Sequence, residues 1–245
     1  MLQTMARKIN NETVGMTGEF VICLLFDIKN SIEPHRWDTE VANNMIKSNV
    51  LDILLDENVM PMEHVGGNNG PTDFMVLDSK NETKTMSLKT LKKSDGKICP
   101  QGGQPTYKSF DKINELNDKT KDLSRIDANQ VRWAWIQNNI GKFLNDMQYK
   151  TFCCDYLMLI SNCCKNPKAE LLENKKYDFT KFDSIEFSRQ MYEERPHSRK
   201  PGQLAEFYST VTGTIGGETK RIGEFQFHFK SRENIKFRFF NTLFG

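Results

Sequence analysis

Gly66-Gly67-Asn68-Asn69-Gly70-Pro71-Thr72-Asp73-Phe74-Met75-Val76-Leu77 reads as a glycine and asparagine turn that delivers an acid to the start of a short apolar run. A second β-like run, Thr83-Lys84-Thr85-Met86-Ser87-Leu88-Lys89-Thr90, then brings a lysine back beside that acid. With Val59 to Val65 ahead of them, the two runs predict three consecutive antiparallel strands with short connections. On the later run Met86, Leu88 and Thr90 fall on one face, Ser87 and Lys89 on the other. A serine and a lysine side by side on a strand expected near the centre of a sheet need a polar partner. Asp73, at the mouth of the preceding strand, supplies one.

An acid and a lysine so placed are the parts of a metal-dependent phosphodiesterase site. Asp73 would ligate a hard divalent cation through oxygen, and Lys89 would hold the attacking water or neutralise charge developing on phosphate. Each residue also has a plainer reading, because an Asp after a glycine-rich turn is commonly a turn residue and a strand Lys commonly lies on a solvated face. Their pairing favours chemistry. A single carboxylate holds Mg²⁺ poorly unless phosphate, a backbone carbonyl, water or another acid completes the octahedron, and Ser87 offers only a neutral oxygen. The first candidate for a second acid is Glu19, in Met16-Thr17-Gly18-Glu19-Phe20-Val21-Ile22, the early part of an expected N-terminal helix. Glu63 and Asp78 are the competitors, and strand alternation puts Asp78 on the face opposite Asp73.

The rest of the chain frames this centre. At 245 residues it is long enough to bury a full core as one domain, an α/β (α+β) fold with a central mixed sheet flanked by helices. Residues 1–165 would form the catalytic core and residues 166–245 a β-rich recognition part of the same domain. Helices are expected over Thr13–Lys29, Trp37–Leu55, Ser109–Lys121 and Ala128–Asn145, the last with Val131, Trp135, Ile136, Ile140, Phe143 and Leu144 on its core stripe. Cys153–Ile160 reads as a buried strand pairing in parallel with the core sheet. Leu91–Tyr107 has no hydrophobic period and reads as a long functional loop.

Composition excludes some classes. Mean hydropathy of −0.60 and the lack of an apolar run near membrane-span length argue against a membrane protein. The polar first eleven residues predict no secretory leader. Six cysteines in such a chain read as intracellular thiols, and the adjacent pairs Cys153-Cys154 and Cys163-Cys164 are poorly spaced for zinc. The formal charge of +2 does not exclude nucleic acid, because the basic residues cluster. One cluster, Arg195-Pro196-His197-Ser198-Arg199-Lys200-Pro201, suits phosphate contact through Arg199 and Lys200 or serves as a solvated linker. The last third reads as strands over Leu204–Thr214, Ile222–Phe229 and Ile235–Phe240. There Gln226 and His228 oppose a phenylalanine face, with Lys236 and Arg238 on the next strand and Arg232 between, a stripe suited to base-edge and backbone readout.

Thr72-Asp73, thirteen intervening residues and Ser87-Leu88-Lys89 resemble the PD-(D/E)xK nuclease core, with serine where the second acid commonly stands. The ending Gly-Glu-Phe-Gln-Phe-His, with Lys-Phe-Arg-Phe downstream, resembles the tails of several type II restriction endonucleases. The resemblance implies a restriction-endonuclease-like core and Mg²⁺-dependent, sequence-specific cleavage of double-stranded DNA by a homodimer inside a bacterial or virus-infected cell. It implies metal ligation by Asp73, Glu19 and the Leu88 backbone carbonyl, with Lys89 positioning the nucleophile and Ser87 adding a hydrogen bond or a water-mediated contact. DNA contacts would come from Lys92, Lys93, Gln101, Gln104, Arg199, Lys200, Gln226, His228, Arg232, Lys236 and Arg238. A structure-specific repair or junction nuclease of the same core, or a catalytically inactive DNA-binding protein, are the alternatives.

Overall fold

A computed structural model describes residues 9–66, 71–93, 96–190, 207–228 and 232–245. Arg199, Lys200 and residues 67–70 of the glycine-rich turn lie outside the described residues. In chain order the elements are α1 Asn11–Leu25, α2 Thr39–Ile46, α3 Val50–Asp56, β1 Met60–His64, β2 Phe74–Leu77, β3 Thr83–Thr90, β4 Lys97–Ile98, α4 Tyr107–Ile113, α5 Asn117–Thr120, α6 Arg125–Asn138 and α7 Ile140–Thr151. They continue with β5 Tyr156–Ser161, β6 Lys168–Glu173, β7 Ser184–Phe187, β8 Phe207–Ile215, β9 Glu218–Phe227 and β10 Ile235–Phe240. The chain divides into two compact units, Met1–Asp95 with Phe152–Asn174 and Gly245, and Gly96–Thr151 with Lys175–Phe244. Helices α4 to α7, expected within residues 1–165, therefore group with the C-terminal strands. Among the described residues no helix is long and apolar enough to cross a membrane.

The first unit is a mixed α/β layer built on a five-stranded sheet of order β1-β2-β3-β5-β6. The β1-β2-β3 meander is antiparallel, and β5 joins β3 in parallel, as the apolar run through Ile160 predicts. Asn10 caps α1 by accepting the Thr13 amide at 2.6 Å. Helix α1 seats on β3 through Gly18, where a Cβ would stand 2.8 Å from Leu88 Cδ2 and 2.8 Å from Thr90 Cγ2. Its Val14, Val21 and Ile22 join Met45, Leu54, Phe74, Val76, Met86 and Met158 in one buried cluster. The expected Trp37–Leu55 helix is broken into α2 and α3. Asn49, at the break, exchanges two hydrogen bonds with the backbone of Ala169 on β6, at 2.9 and 3.3 Å. A side-chain amide that mimics a strand rung wins there over helix continuation.

The second unit is an antiparallel sheet of order β4-β10-β9-β8-β7. Its apolar face is aromatic: Trp133 on α6 packs edge-on against Phe187, Phe207, Phe225 and Phe227, at 4.9 to 5.9 Å between ring centroids. The expected Ala128–Asn145 helix ends at Asn138 and restarts at Ile140, and the buried tryptophan is Trp133 rather than Trp135. Asn139, whose side chain donates to the Trp135 carbonyl at 2.9 Å, terminates α6 and resets the phase of the stripe. Ser109–Lys121 likewise becomes the two short helices α4 and α5.

One buried ion pair ties α4 to α6. Arg132 donates through Nε and Nη2 to the Asp111 carboxylate at 2.8 and 2.5 Å, and through Nη1 to Asn129 at 2.8 Å. Thr120 donates to the same carboxylate at 2.8 Å, and the guanidinium lies 4.3 Å over the Tyr107 ring. Removing one partner leaves a buried charge alone, so Arg132→Ala should cost about 3–5 kcal/mol in denaturant unfolding. The exposed Arg36–Glu12 pair, at 2.9 Å, gives the contrast: Arg36→Ala should cost under about 1 kcal/mol by the same measurement.

Candidate active site

Strand β2 stops pairing with β3 through its main chain at Asp73, whose amide donates to the Met86 carbonyl at 3.0 Å. From there the side chain takes over. Asp73 Oδ2 accepts the Leu88 amide at 2.6 Å and the Ser87 hydroxyl at 2.9 Å. The acid thus completes the rung that β2 is too short to make, and two donors fix its rotamer. Oδ1 takes no hydrogen bond among the described residues. Amide and carbonyl of one strand residue point the same way, so the Leu88 carbonyl opens on the side where β2 has ended. Burial pushes the Asp73 carboxyl above its usual range, against the pull of the Leu88 amide; the Glu19 charge raises it further, while Ser87 and the Lys89 charge lower it.

Glu19 reaches this neighbourhood from α1. Its Oε2 lies 2.8 Å from His64 Nε2, with side-chain exposures of only 12% and 3% respectively. The ring is turned inward by a bulge between Pro61 and Glu63. Pro61 is buried, Met62 and Glu63 are both exposed, and His64 faces the interior again, which strict alternation would forbid. Gly66 covers the pair so closely that a Cβ would stand 2.7 Å from His64 Nε2 and 2.8 Å from Glu19 Oε2. The amides of Val65 and Gly66 both donate to the Asp73 carbonyl, at 2.9 and 3.1 Å. The Glu19 charge also acts on Cys23, one helical turn on, whose thiol is pushed up to about 12, chiefly by burial.

Lys89 follows Ser87 along the same side of β3 and forms no hydrogen bond or ion pair among the described residues, although its charge reaches Asp73. The competing acids are elsewhere. Asp78 accepts the amides of Lys80 and Glu82, both at 2.9 Å, in the turn at the far end of β2, and Glu63 is exposed on β1. Among the described residues no three His, Cys, Asp or Glu side chains gather as a ready-made metal cage. The oxygens on offer are two carboxylates and a carbonyl, all hard. Such a set suits Mg²⁺, which keeps several waters and shares substrate phosphates instead of demanding an all-protein shell.

The residues expected to contact DNA divide by exposure. Lys93 and Arg232 are exposed, and Lys92 is exposed with its ammonium donating to the Ile9 carbonyl. Gln101, Lys236 and Arg238 are half-buried. Three others are taken up by the protein itself, Gln226 and His228 of the expected stripe and Gln104 of the expected loop. Gln104 exchanges two hydrogen bonds with the backbone of Phe237, at 2.7 and 2.9 Å, Gln226 donates to the Tyr208 hydroxyl at 2.7 Å, and His228 is buried. The loop expected over Leu91–Tyr107 is partly a strand, because Lys97 and Ile98 of β4 pair with β10. On the polar face of this sheet Glu224 gathers Lys97 at 2.6 Å and Arg238 at 3.9 Å. The sequence reading missed His64 and Gly66; the signal was Pro61, since a proline inside a strand pattern marks an edge or a bulge.

No family model matches the chain, and no solved structure matches it. Among curated proteins it is 32% identical over 233 residues to the type II restriction enzyme CviAII of Paramecium bursaria Chlorella virus 1. The alignment takes in 94% of this chain but only 58% of that enzyme, so the chain spans little more than half of its relative's length.

Proposed function

We propose that the chain is a Mg²⁺-dependent endonuclease that cuts double-stranded DNA at a defined sequence, on a restriction-endonuclease-like core in which Ser87 stands at the usual second-acid position. The observation that carries this reading is the carboxylate of Asp73, fixed by Ser87 and the Leu88 amide, with the charges of Glu19 and Lys89 both acting on it. The similarity to CviAII supports the restriction class.

When bound, Mg²⁺ would supply electrostatic stabilisation of phosphate charge and an activated water. Asp73 and Glu19 would hold it through carboxylate oxygens and Leu88 through its carbonyl. Ser87 acts on Asp73, keeping Oδ2 engaged so that Oδ1 is the oxygen left for ligation. Lys89, without an ion-pair partner among the described residues, orients the attacking water and offsets negative charge as it grows on the phosphate. In the second unit the exposed Arg232, with Lys236 opposite Gln226 and Arg238 opposite Glu224, would contact backbone and base edges. A two-fold dimer reading a palindrome is the assembly this reading implies.

Digestion of a long DNA with Mg²⁺ tests the class. Discrete fragments are the expected result; nicks confined to junctions, or binding without cuts, would replace it with another. Lys89→Ala should lower the cleavage rate by about 10²–10³-fold and leave specific DNA binding nearly unchanged, as gel-shift and single-turnover assays would read. Near wild-type cutting by that variant removes Lys89 from the mechanism. Asp73→Asn keeps size and loses the charge, so Mg²⁺-dependent cleavage should vanish, and chelation should stop the wild type reversibly. Cleavage that persists in excess chelator would defeat the metal assignment.

A further inference from the structure

We propose that His64 is a positioning residue for Glu19: its buried ring holds one carboxylate oxygen and leaves the other for the cation, an inference that rests on the Mg²⁺ nuclease reading. A glutamate on a helix has several rotamers, and an unrestrained one would sample most of them beside a second negative group. Here the 2.8 Å contact from His64 Nε2 engages Oε2, and Oε1 takes no hydrogen bond among the described residues.

Three features point to an arrangement built around this contact. The bulge between Pro61 and Glu63 shifts the alternation of β1 by one residue and is what turns the ring inward. Phe74, the residue paired with His64 across the strands, lies against the ring at 5.2 Å between centroids. Gly66 brings main chain down onto both polar atoms, and the same short segment donates two amides to the carbonyl of Asp73. The contact between His64 and Glu19 is thus continuous, through this segment, with Asp73. Groups that hydrogen-bond a metal-ligating side chain commonly set metal affinity by about 10–100-fold without touching the ion.

The test uses His64→Leu, His64→Gln, Glu19→Gln and the double variant His64→Leu/Glu19→Gln, with Mn²⁺ binding to the whole chain followed by electron paramagnetic resonance and cleavage followed against Mg²⁺ concentration. His64→Leu should weaken Mn²⁺ binding by about 10–100-fold and raise the Mg²⁺ needed for half-maximal cleavage by a similar factor. The rate at saturating Mg²⁺ should stay near wild type. His64→Gln, whose amide still donates, should recover most of the affinity. The double variant should bind no more weakly than Glu19→Gln alone, because His64 acts through Glu19. Should thermal melting show His64→Leu unfolded, the Gln variant and the Gly66→Ala variant, which crowds the same contact, carry the comparison. Unchanged Mn²⁺ affinity in a folded His64→Leu protein, or additive losses in the double variant, would overturn the inference while wild-type cutting and an inactive Asp73→Asn keep the nuclease reading. A wild type that neither binds Mn²⁺ nor cuts DNA overturns both.

Discussion

The hydrogen bond from the Leu88 amide to the Asp73 carboxylate, at 2.6 Å, is the constraint on which the candidate site depends. An amide on a central strand must find an acceptor once it is taken from water. Because β2 has no further residue to offer, a side chain must serve, and only an acid or amide at position 73 reaches from the strand mouth. The requirement of the sheet and the requirement of the chemistry thus coincide on one residue. Ser87 follows from the same geometry: it is the neighbour on β3 whose hydroxyl meets the oxygen already engaged. Lys89, two residues on, inherits the same side of the strand.

The two units treat carboxylates drawn in from solvent, Asp111 buried and Asp73 half-buried, in opposite ways. Asp111 is matched by a bidentate guanidinium and a threonine hydroxyl, so its burial closes a network that links α4, α5 and α6. Asp73 is half-buried with two neutral donors, a second acid that repels it and a lysine that does not pair with it. That unmatched balance around Asp73 is the imbalance on which the proposed cation site rests.

Much of the first unit was readable in its residues because its signals are local. Period-two alternation, a glycine-rich turn and β-branched runs define β1 to β3 and the position of Asp73, and an unbroken apolar run defines β5. What was not readable depends on partners distant in the chain. Asn49 breaks a helix by binding Ala169, 120 positions away, and the Gln104 side chain is held against β10 by binding the Phe237 backbone, 133 positions away. Gln226 faces the Tyr208 hydroxyl instead of solvent for the same reason. His64 escaped notice because a single extra residue in β1 inverts every inference drawn from alternation beyond it.

Gly18 carries a consequence for tolerance of the fold to change. A helix resting on a sheet usually has some freedom to slide or roll, since side chains of similar size replace one another at the contact. Here a Cβ would crowd the side-chain ends of Leu88 and Thr90, which must give way before α1 can shift by one position and bring Thr17 or Glu19 to the same place. Rolling the helix by one residue means about 100°, which would turn the small residue away from that contact. Gly18 therefore favours one register of α1 on β3, and with it one placement of the acid immediately after it.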